Sequence, residues 1–248
     1  MEVLTNLVLV SPAVTAYALG CIFMAAMARG FSGFGFTLLT VMSLSYVLPL
    51  STVVPAMVVL EIAAGLHLIG SIWGNVHWNS IRVLVVSSIL FTPLGAVLLA
   101  AIPSGHVKIL LAVLTSACCL ILITGYKLKR MPSFLQTAAT GAGAGVLNGS
   151  LGLGGPPVIV FFLGSPLALE AGRASIIAAF LAMDVAALPA FWALDLLTRE
   201  SLLLGLMSLP VLASGVWVGA RFARRVDEVI ARKLIIGLLL VLAVGSLF

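Results

Sequence analysis

Residues 149–157 read GSLGLGGPP, with four glycines and two prolines, and a regular helix cannot contain this stretch in its interior. In a helix interior each glycine costs about 1 kcal/mol relative to alanine, and each proline about 3 kcal/mol. The flanking residues 135–148 and 155–163 are apolar. If residues 135–165 were helical throughout, they would span about 47 Å, whereas two membrane crossings need about 60 Å. We therefore predict two half-helices that meet at the glycines.

Composition places this break inside a membrane. Hydrophobic residues make up 62% of the 248 residues and charged residues only 8%, against about 25% charged residues in soluble proteins. Four runs carry no charge and approach or exceed the roughly 20 residues that cross a bilayer as a helix: 7–28, 31–60, 83–103 and 109–126. An unwound backbone in lipid is tolerated only where it is buried in protein or lines a cavity. We predict an all-α integral membrane protein whose helix break lines a site.

The first half of the chain contains a related copy of the glycine stretch. When the sequence is shifted by 119 residues, residues 30–35 fall on 149–154, and Trp73 falls on Trp192. The shared G-x-x-G-x-G spacing indicates an internal duplication. Each repeat then contains about four to five apolar segments: 7–28, 31–48, 52–72, 81–101 and 107–125 in the first, and 135–148, 155–163, 171–193, 201–220 and 231–248 in the second.

These segments predict two pseudo-symmetric membrane repeats, residues 1–126 and 135–248, joined by a basic cytoplasmic linker at 127–134. Basic residues near the ends of spans mark the cytoplasmic side, and here they form two clusters: Lys127, Lys129 and Arg130, and Arg221, Arg224, Arg225, Arg232 and Lys233. Both clusters are cytoplasmic only if each repeat crosses the membrane an odd number of times, which makes the repeats inverted. The alternative is a parallel duplication.

The two breaks are the predicted binding site. Exposed N–H groups of an unwound segment, with the N-terminus of the following helix, attract anions, and nearby hydroxyl and amide groups add donors. The candidate substrate-binding residues are Arg29, Gly30, Ser32, Gly33, Gly35, Asn148, Gly149, Ser150, Gly152, Gly154, Gly155, Pro156 and Arg173. A purely structural interpretation remains open for part of this stretch, because Gly141, Gly145 and Gly149 recur every four residues, as in close contacts between membrane helices.

Charges within the apolar runs are further candidates, since intramembrane charges cost roughly 2.5–3.5 kcal/mol and are usually functional. We expect Glu61, Asp184 and His67 to carry coupling protons, because burial of a carboxyl group disfavours its charged form and allows proton exchange. Arg29 and Arg173 are the expected anion ligands. Ion pairs of Arg29 with Glu61 and of Arg173 with Asp184 are the structural alternative.

Several functions are excluded by missing motifs. No Lys-Ser or Lys-Thr follows the glycines, which excludes an ATP-binding loop, and no βαβ unit surrounds them. The chain contains neither a His-Glu-x-x-His nor a Gly-x-Ser-x-Gly motif, and its three histidines are scattered. We predict no enzyme activity, no metal and no cofactor. Nucleic acid is not an expected partner, because the basic residues occur in short clusters between apolar runs.

Residues 148–157 resemble the motif of the sulfite exporter TauE/SafE family, a glycine-rich stretch that ends in Gly-Gly and a proline. The first copy departs from that pattern, because Phe36 stands where a glycine is common and no proline follows until Pro49. The resemblance extends to residues 75–78 and 215–221. It implies transport of a small anion, typically sulfite, a sulfonate or a related sulfur compound.

We therefore predict a secondary transporter in a bacterial-type inner cell membrane, with multiple spans and proton-coupled export of a small sulfur-containing or organic anion. The expected partners are the anion and membrane lipid, and we also consider a homodimer. Two alternatives remain at this stage: an anion channel, and a membrane subunit of a larger complex.

Overall fold

The computed structural model describes residues 12–32, 35–101, 113, 128 and 130–223. These residues form eight α-helices and one short 3₁₀ turn, Trp73–Asn75. The helices are α1 (Pro12–Ser32), α2 (Phe36–Leu44), α3 (Leu50–Ile72), α4 (Trp78–Ala101), α5 (Phe134–Leu151), α6 (Gly155–Gly164), α7 (Leu169–Ala193) and α8 (Arg199–Ala223).

Five helices in the described part of the chain are long and apolar enough to cross a membrane: α1, α3, α4, α7 and α8. The prediction of an all-α membrane protein is therefore confirmed. The observed helices agree with the predicted segments to within a few residues at most of their ends, although α1 extends to Ser32 and α2 ends at Leu44. The predicted segments 107–125 and 231–248 lie outside the described residues.

Both glycine-rich stretches interrupt a helix. α1 ends at Ser32 and α2 begins at Phe36, and in the same way α5 ends at Leu151 and α6 begins at Gly155. Gly35 and Gly152 have φ values of 90° and 64°, in the left-handed region that side chains with a Cβ rarely adopt. At Gly152 the turn is closed by hydrogen bonds from two N–H groups to carbonyls at the end of α5.

The long helices pack in two tight pairs. α5 lies against α4, and Gly141, Gly145 and Gly149 face the backbone of Leu84, Ser88 and Thr92. The spacing of four residues on both helices forms a continuous line of contact, in which an added Cβ would collide with a backbone carbonyl. α1 lies against α8 through a similar line of glycines, Gly30, Gly215 and Gly219. Small residues allow such close approach of membrane helices.

α3 and α7 lie between these two pairs. They pack against each other, and α3 also contacts α8 while α7 contacts α4. A Cβ built on Gly65 of α3 would lie 3.1 Å from the Leu181 side chain of α7. α2 packs on α1 and α3, and α6 packs on α5 and α7. The two helix breaks therefore both lie beside the central helices.

Helices of the two halves begin at matching positions. α2 and α3 begin at Phe36 and Leu50, and α6 and α7 begin at Gly155 and Leu169, which is 119 residues later in both cases. The end of α6 lies beside the residues that precede α5, because the N–H of Leu128 donates to the carbonyl of Gly164. The helices α5 and α6 therefore form a hairpin whose two ends are close together.

Candidate functional site

An ion pair between Arg29 and Glu61 lies at the first helix break. Arg29 is three residues before the end of α1, and Glu61 is at the middle of α3. Nη1 of Arg29 donates to Oε2 of Glu61, and their side chains are only 7% and 9% exposed. A guanidinium and a carboxylate that are both buried need each other as partners. The sequence left two interpretations open for Arg29, a ligand of the anion and an ion pair with Glu61, and the structure contains the ion pair.

Thr37 completes the coordination of the Glu61 carboxylate. Its hydroxyl donates to Oε1 of Glu61 at 2.6 Å, and the residue is buried. Thr37 lies in the first turn of α2, directly after the break at Gly35. It was not among the sequence candidates, although a hydroxyl residue two positions after the last glycine of the first motif is a feature of the sequence.

Asp184 of α7 extends this group of polar residues toward the second break. Its side chain is buried, with 4% exposure. The carboxyl group lies within interaction range of the Glu61 carboxylate, the Asn148 amide and the Arg29 guanidinium. One guanidinium and two carboxyl groups thus share the buried centre between α1, α3 and α7. We call Arg29, Thr37, Glu61, Asn148 and Asp184 the central polar cluster.

Asn148 connects the cluster with the second break. Its Oδ1 accepts a hydrogen bond from the N–H of Gly154 at 3.4 Å. Its amide nitrogen is buried and faces the Asp184 carboxyl group, which lies within its interaction range. Asn148 lies 119 residues after Arg29, so the two side chains come from matching places before the two breaks. Asn148 therefore links Asp184 of α7 to the second break.

The second break packs onto the central helices and onto the first break. A Cβ built on Gly152 would lie 3.4 Å from Cγ2 of Thr37, which places the two breaks in contact. Gly154 lies against the Met183 side chain, and a Cβ on Gly155 would lie 3.3 Å from Cζ of Phe180. Pro156 follows at the start of α6. Gly152 is thus close to Thr37, and Gly154 packs beside Met183, the residue before Asp184.

Three other candidates from the glycine motifs are engaged in helix packing. Gly149 faces the backbone of α4, and Gly30 faces the backbone of α8. The hydroxyl of Ser150 donates to the Val146 carbonyl one turn earlier in α5. Gly149 and Gly30 therefore make contacts between helices and Ser150 makes one within α5, whereas Asn148, Gly152 and Gly154 border the central polar cluster.

Two charged or titratable candidates lie away from the cluster. Arg173 is exposed in the first turns of α7, eleven residues before Asp184, which is about 16 Å along the helix axis. His67 is exposed on α3, six residues after Glu61. Ser32 is the last residue of α1 and Gly35 precedes α2, whereas Gly33 lies outside the described residues.

The chemistry of the cluster suits a small anion and a proton. Arg29 offers forked N–H donors that match an oxyanion, and Thr37 and Asn148 add a hydroxyl and an amide. The two carboxyl groups offer proton acceptors in an environment that disfavours two uncompensated negative charges. All five side chains are buried at the point where two helices are interrupted.

Spanning helices, paired helix breaks and buried charges together are features of membrane transporters. The comparison with family models agrees: residues 18–246 match the model described as sulfite exporter TauE/SafE. The chain belongs to this family of multi-pass cell-membrane transporters, which are not enzymes. No curated protein and no solved structure matches the chain.

Proposed function

We propose that this chain exports a small oxyanion, such as sulfite or a sulfonate, together with or in exchange for a proton. Membership of the sulfite exporter family supports the substrate class. The single observation that carries the proposal is the Arg29–Glu61 ion pair, buried beside Asp184 between the two helix breaks. A cation paired with one carboxyl group and close to a second provides both an anion ligand and two proton acceptors.

Each residue has a distinct proposed role. Arg29 and Thr37 bind the anion from the first break. Asn148 binds it from the second break, together with the backbone near Gly154. Asp184 exchanges the coupling proton, since it faces the ion pair without being part of it. Two further sequence candidates, Gly30 and Gly149, hold the broken helices against α8 and α4.

We also propose that the chain consists of two inverted repeats, residues 1–126 and 135–248, with 127–134 as the linker. The equal offset of α2 and α6, and of α3 and α7, supports a duplication. The packing is reciprocal, because α1 packs on α8 while α5 packs on α4. The bond between Leu128 and Gly164 supports a re-entrant α5–α6 hairpin. In this arrangement the predicted segments 107–125 and 231–248 each provide one crossing. Each repeat then crosses the membrane an odd number of times. The homodimer considered from the sequence remains a prediction.

Reconstituted protein tests the proposed function. Purified chain in proteoliposomes should take up radiolabelled sulfite, methanesulfonate or a small carboxylate in a saturable manner. Uptake should increase when a pH gradient is imposed and should disappear with Arg29→Ala. The matched control is Arg173→Ala, which removes an exposed arginine outside the cluster. Absence of flux for every anion in the panel, with protein shown to be folded, would rule out the proposal.

A further inference from the structure

The Glu61 carboxylate is held by the groups that a substrate oxyanion would need. It receives a guanidinium N–H from Arg29 and a hydroxyl from Thr37. It also lies at the first turn of α2, since Thr37 is the second residue of that helix. A helix N-terminus, an arginine fork and a hydroxyl are the donors that proteins use for phosphates and other oxyanions.

We infer that Glu61 is a tethered substitute for the substrate: its carboxylate occupies the anion subsite formed by Arg29, Thr37 and the start of α2. This inference rests on the proposed function and identifies the subsite within it. The ligand class is a monoanion with at least two oxygens on one atom, such as a sulfonate, hydrogen sulfite or a carboxylate.

A comparison of the two breaks supports this location. Residues 36–38 at the start of α2 each carry a backbone N–H, whereas Pro156 and Pro157 at the start of α6 carry none. Thr37 and Pro156 occupy matching positions under the 119-residue offset. The first break therefore keeps the donors of a helix N-terminus, and the second has lost two of them. The anion subsite belongs to the first break, and Asp184, which interacts with both Glu61 and Asn148, links it to the second break.

Competition for Arg29 then couples the anion to a proton. Glu61 leaves the subsite as a neutral acid, because an uncompensated carboxylate in a low-dielectric interior is costly. One proton binds to a carboxylate oxygen of Glu61, its bond to Arg29 breaks, and the anion forms a new ion pair with the guanidinium. The charge of the cluster is the same before and after this exchange. The site therefore takes up one proton with each anion.

Few other titratable groups face Glu61. Asp184 approaches from α7 and Arg29 from α1. α2 and α5 contain no ionisable side chain. His67 on α3 itself is exposed, and so are the charged residues of α8 within the described part of the chain: Arg199, Glu200 and Arg221. Asp184 is therefore the neighbour that can exchange a proton with Glu61.

Chemical rescue tests this inference. Glu61→Ala removes the tethered carboxylate and leaves Arg29 without its ion-pair partner. Methanesulfonate or acetate, added to the purified variant at constant ionic strength, should bind at least tenfold more tightly than to the wild-type protein and should raise the melting temperature more. The double variant Arg29→Met/Glu61→Ala should lose this stabilisation. Equal stabilisation of wild type and Glu61→Ala by both anions would overturn the inference, while wild-type transport would still support the proposed function.

A measurement on the wild-type protein covers the case in which Glu61→Ala does not fold. Methanesulfonate stays ionised throughout the neutral range, so any proton uptake on binding comes from the protein. In a weakly buffered solution near neutral pH, binding should remove about one proton per anion from the solvent, and affinity should fall up to about tenfold per pH unit as the pH rises. Binding without proton uptake at any pH would contradict the exchange at Glu61. Absence of both binding and transport would reject the proposed function as well.

Discussion

Arg29 of α1 and Glu61 of α3, 32 residues apart in the sequence, form an ion pair with both side chains buried. This pair joins a broken helix to one of the two central helices. It has both a structural and a functional interpretation, and the two predict different outcomes for the same substitutions.

Removing one partner of the pair should destabilise the protein, whereas removing both should restore much of the loss. A single Arg29→Met substitution leaves a buried carboxylate without its cation, and such a change costs about 3–5 kcal/mol. In the double variant Arg29→Met/Glu61→Gln no unpaired charge remains. Thermal unfolding in detergent measures both. If the double variant is no more stable than Arg29→Met alone, the pair does not account for the loss.

Asp184→Asn should separate anion binding from proton coupling. The amide keeps the size and hydrogen-bonding capacity of the carboxyl group but cannot release a proton. We expect the variant to bind the anion and to lose the dependence of flux on a pH gradient. The assay is uptake into proteoliposomes with and without the gradient, with melting temperature recorded beside it. Full proton-coupled flux in Asp184→Asn would exclude this residue as the carrier.

The contact between α4 and α5 gives a prediction with a control in the same helix. A Cβ at Gly145 would collide with the backbone of Ser88, whereas no described atom lies within 4 Å of a Cβ at Gly143. Gly145→Ala should therefore lower stability by about 1–3 kcal/mol, and Gly143→Ala should leave it unchanged or slightly raised. Unfolding in detergent compares them. Equal melting temperatures for both variants would contradict the close helix contact.

Membrane topology can be tested at exposed positions outside the cluster. Single cysteines in place of Arg130 and Arg221 should react with an impermeant reagent only from the cytoplasmic side, and a cysteine in place of Glu200 only from the outside. All three side chains are exposed. The reactions are to be carried out in a background without native cysteines. Labelling of positions 130 and 221 from opposite sides would disprove the inverted repeats.

The sequence was sufficient for the helices and the breaks, because apolar length and glycine content determine both locally. It also selected Arg29, Glu61, Asn148 and Asp184 as candidates, since a polar group in an apolar run is conspicuous, and the structure brings these four residues together. Thr37 could not be found in this way. Threonine is common in membrane helices, and its contact with Glu61 depends on how α2 turns after the break.

The side of a helix that a residue faces was harder to predict than its position along the helix. His67 follows Glu61 by a little under two turns, yet His67 is exposed and Glu61 is buried. In a soluble helix a polar face distinguishes the two sides. In α3 both the lipid-facing and the protein-facing sides are apolar, so the sequence carried no signal to separate them. The spacing of Gly141, Gly145 and Gly149 predicted a helix contact in the same way, but not that α4 is the partner.

The backbone contacts of the glycines also restrict how this molecule can change shape. Close contact along their length should make α4 and α5 move as one rigid body, and α1 and α8 as another, because sliding either pair would force carbonyls against each other. Arg29 belongs to the second body and Asn148 to the first, so relative rotation of the two bodies would open and close the cluster between them. Spin labels at Tyr17 and Trp217 should keep a fixed separation when methanesulfonate is added, while labels at Tyr17 and Leu90 should change theirs. A fixed separation for both pairs under transport conditions would contradict this rotation.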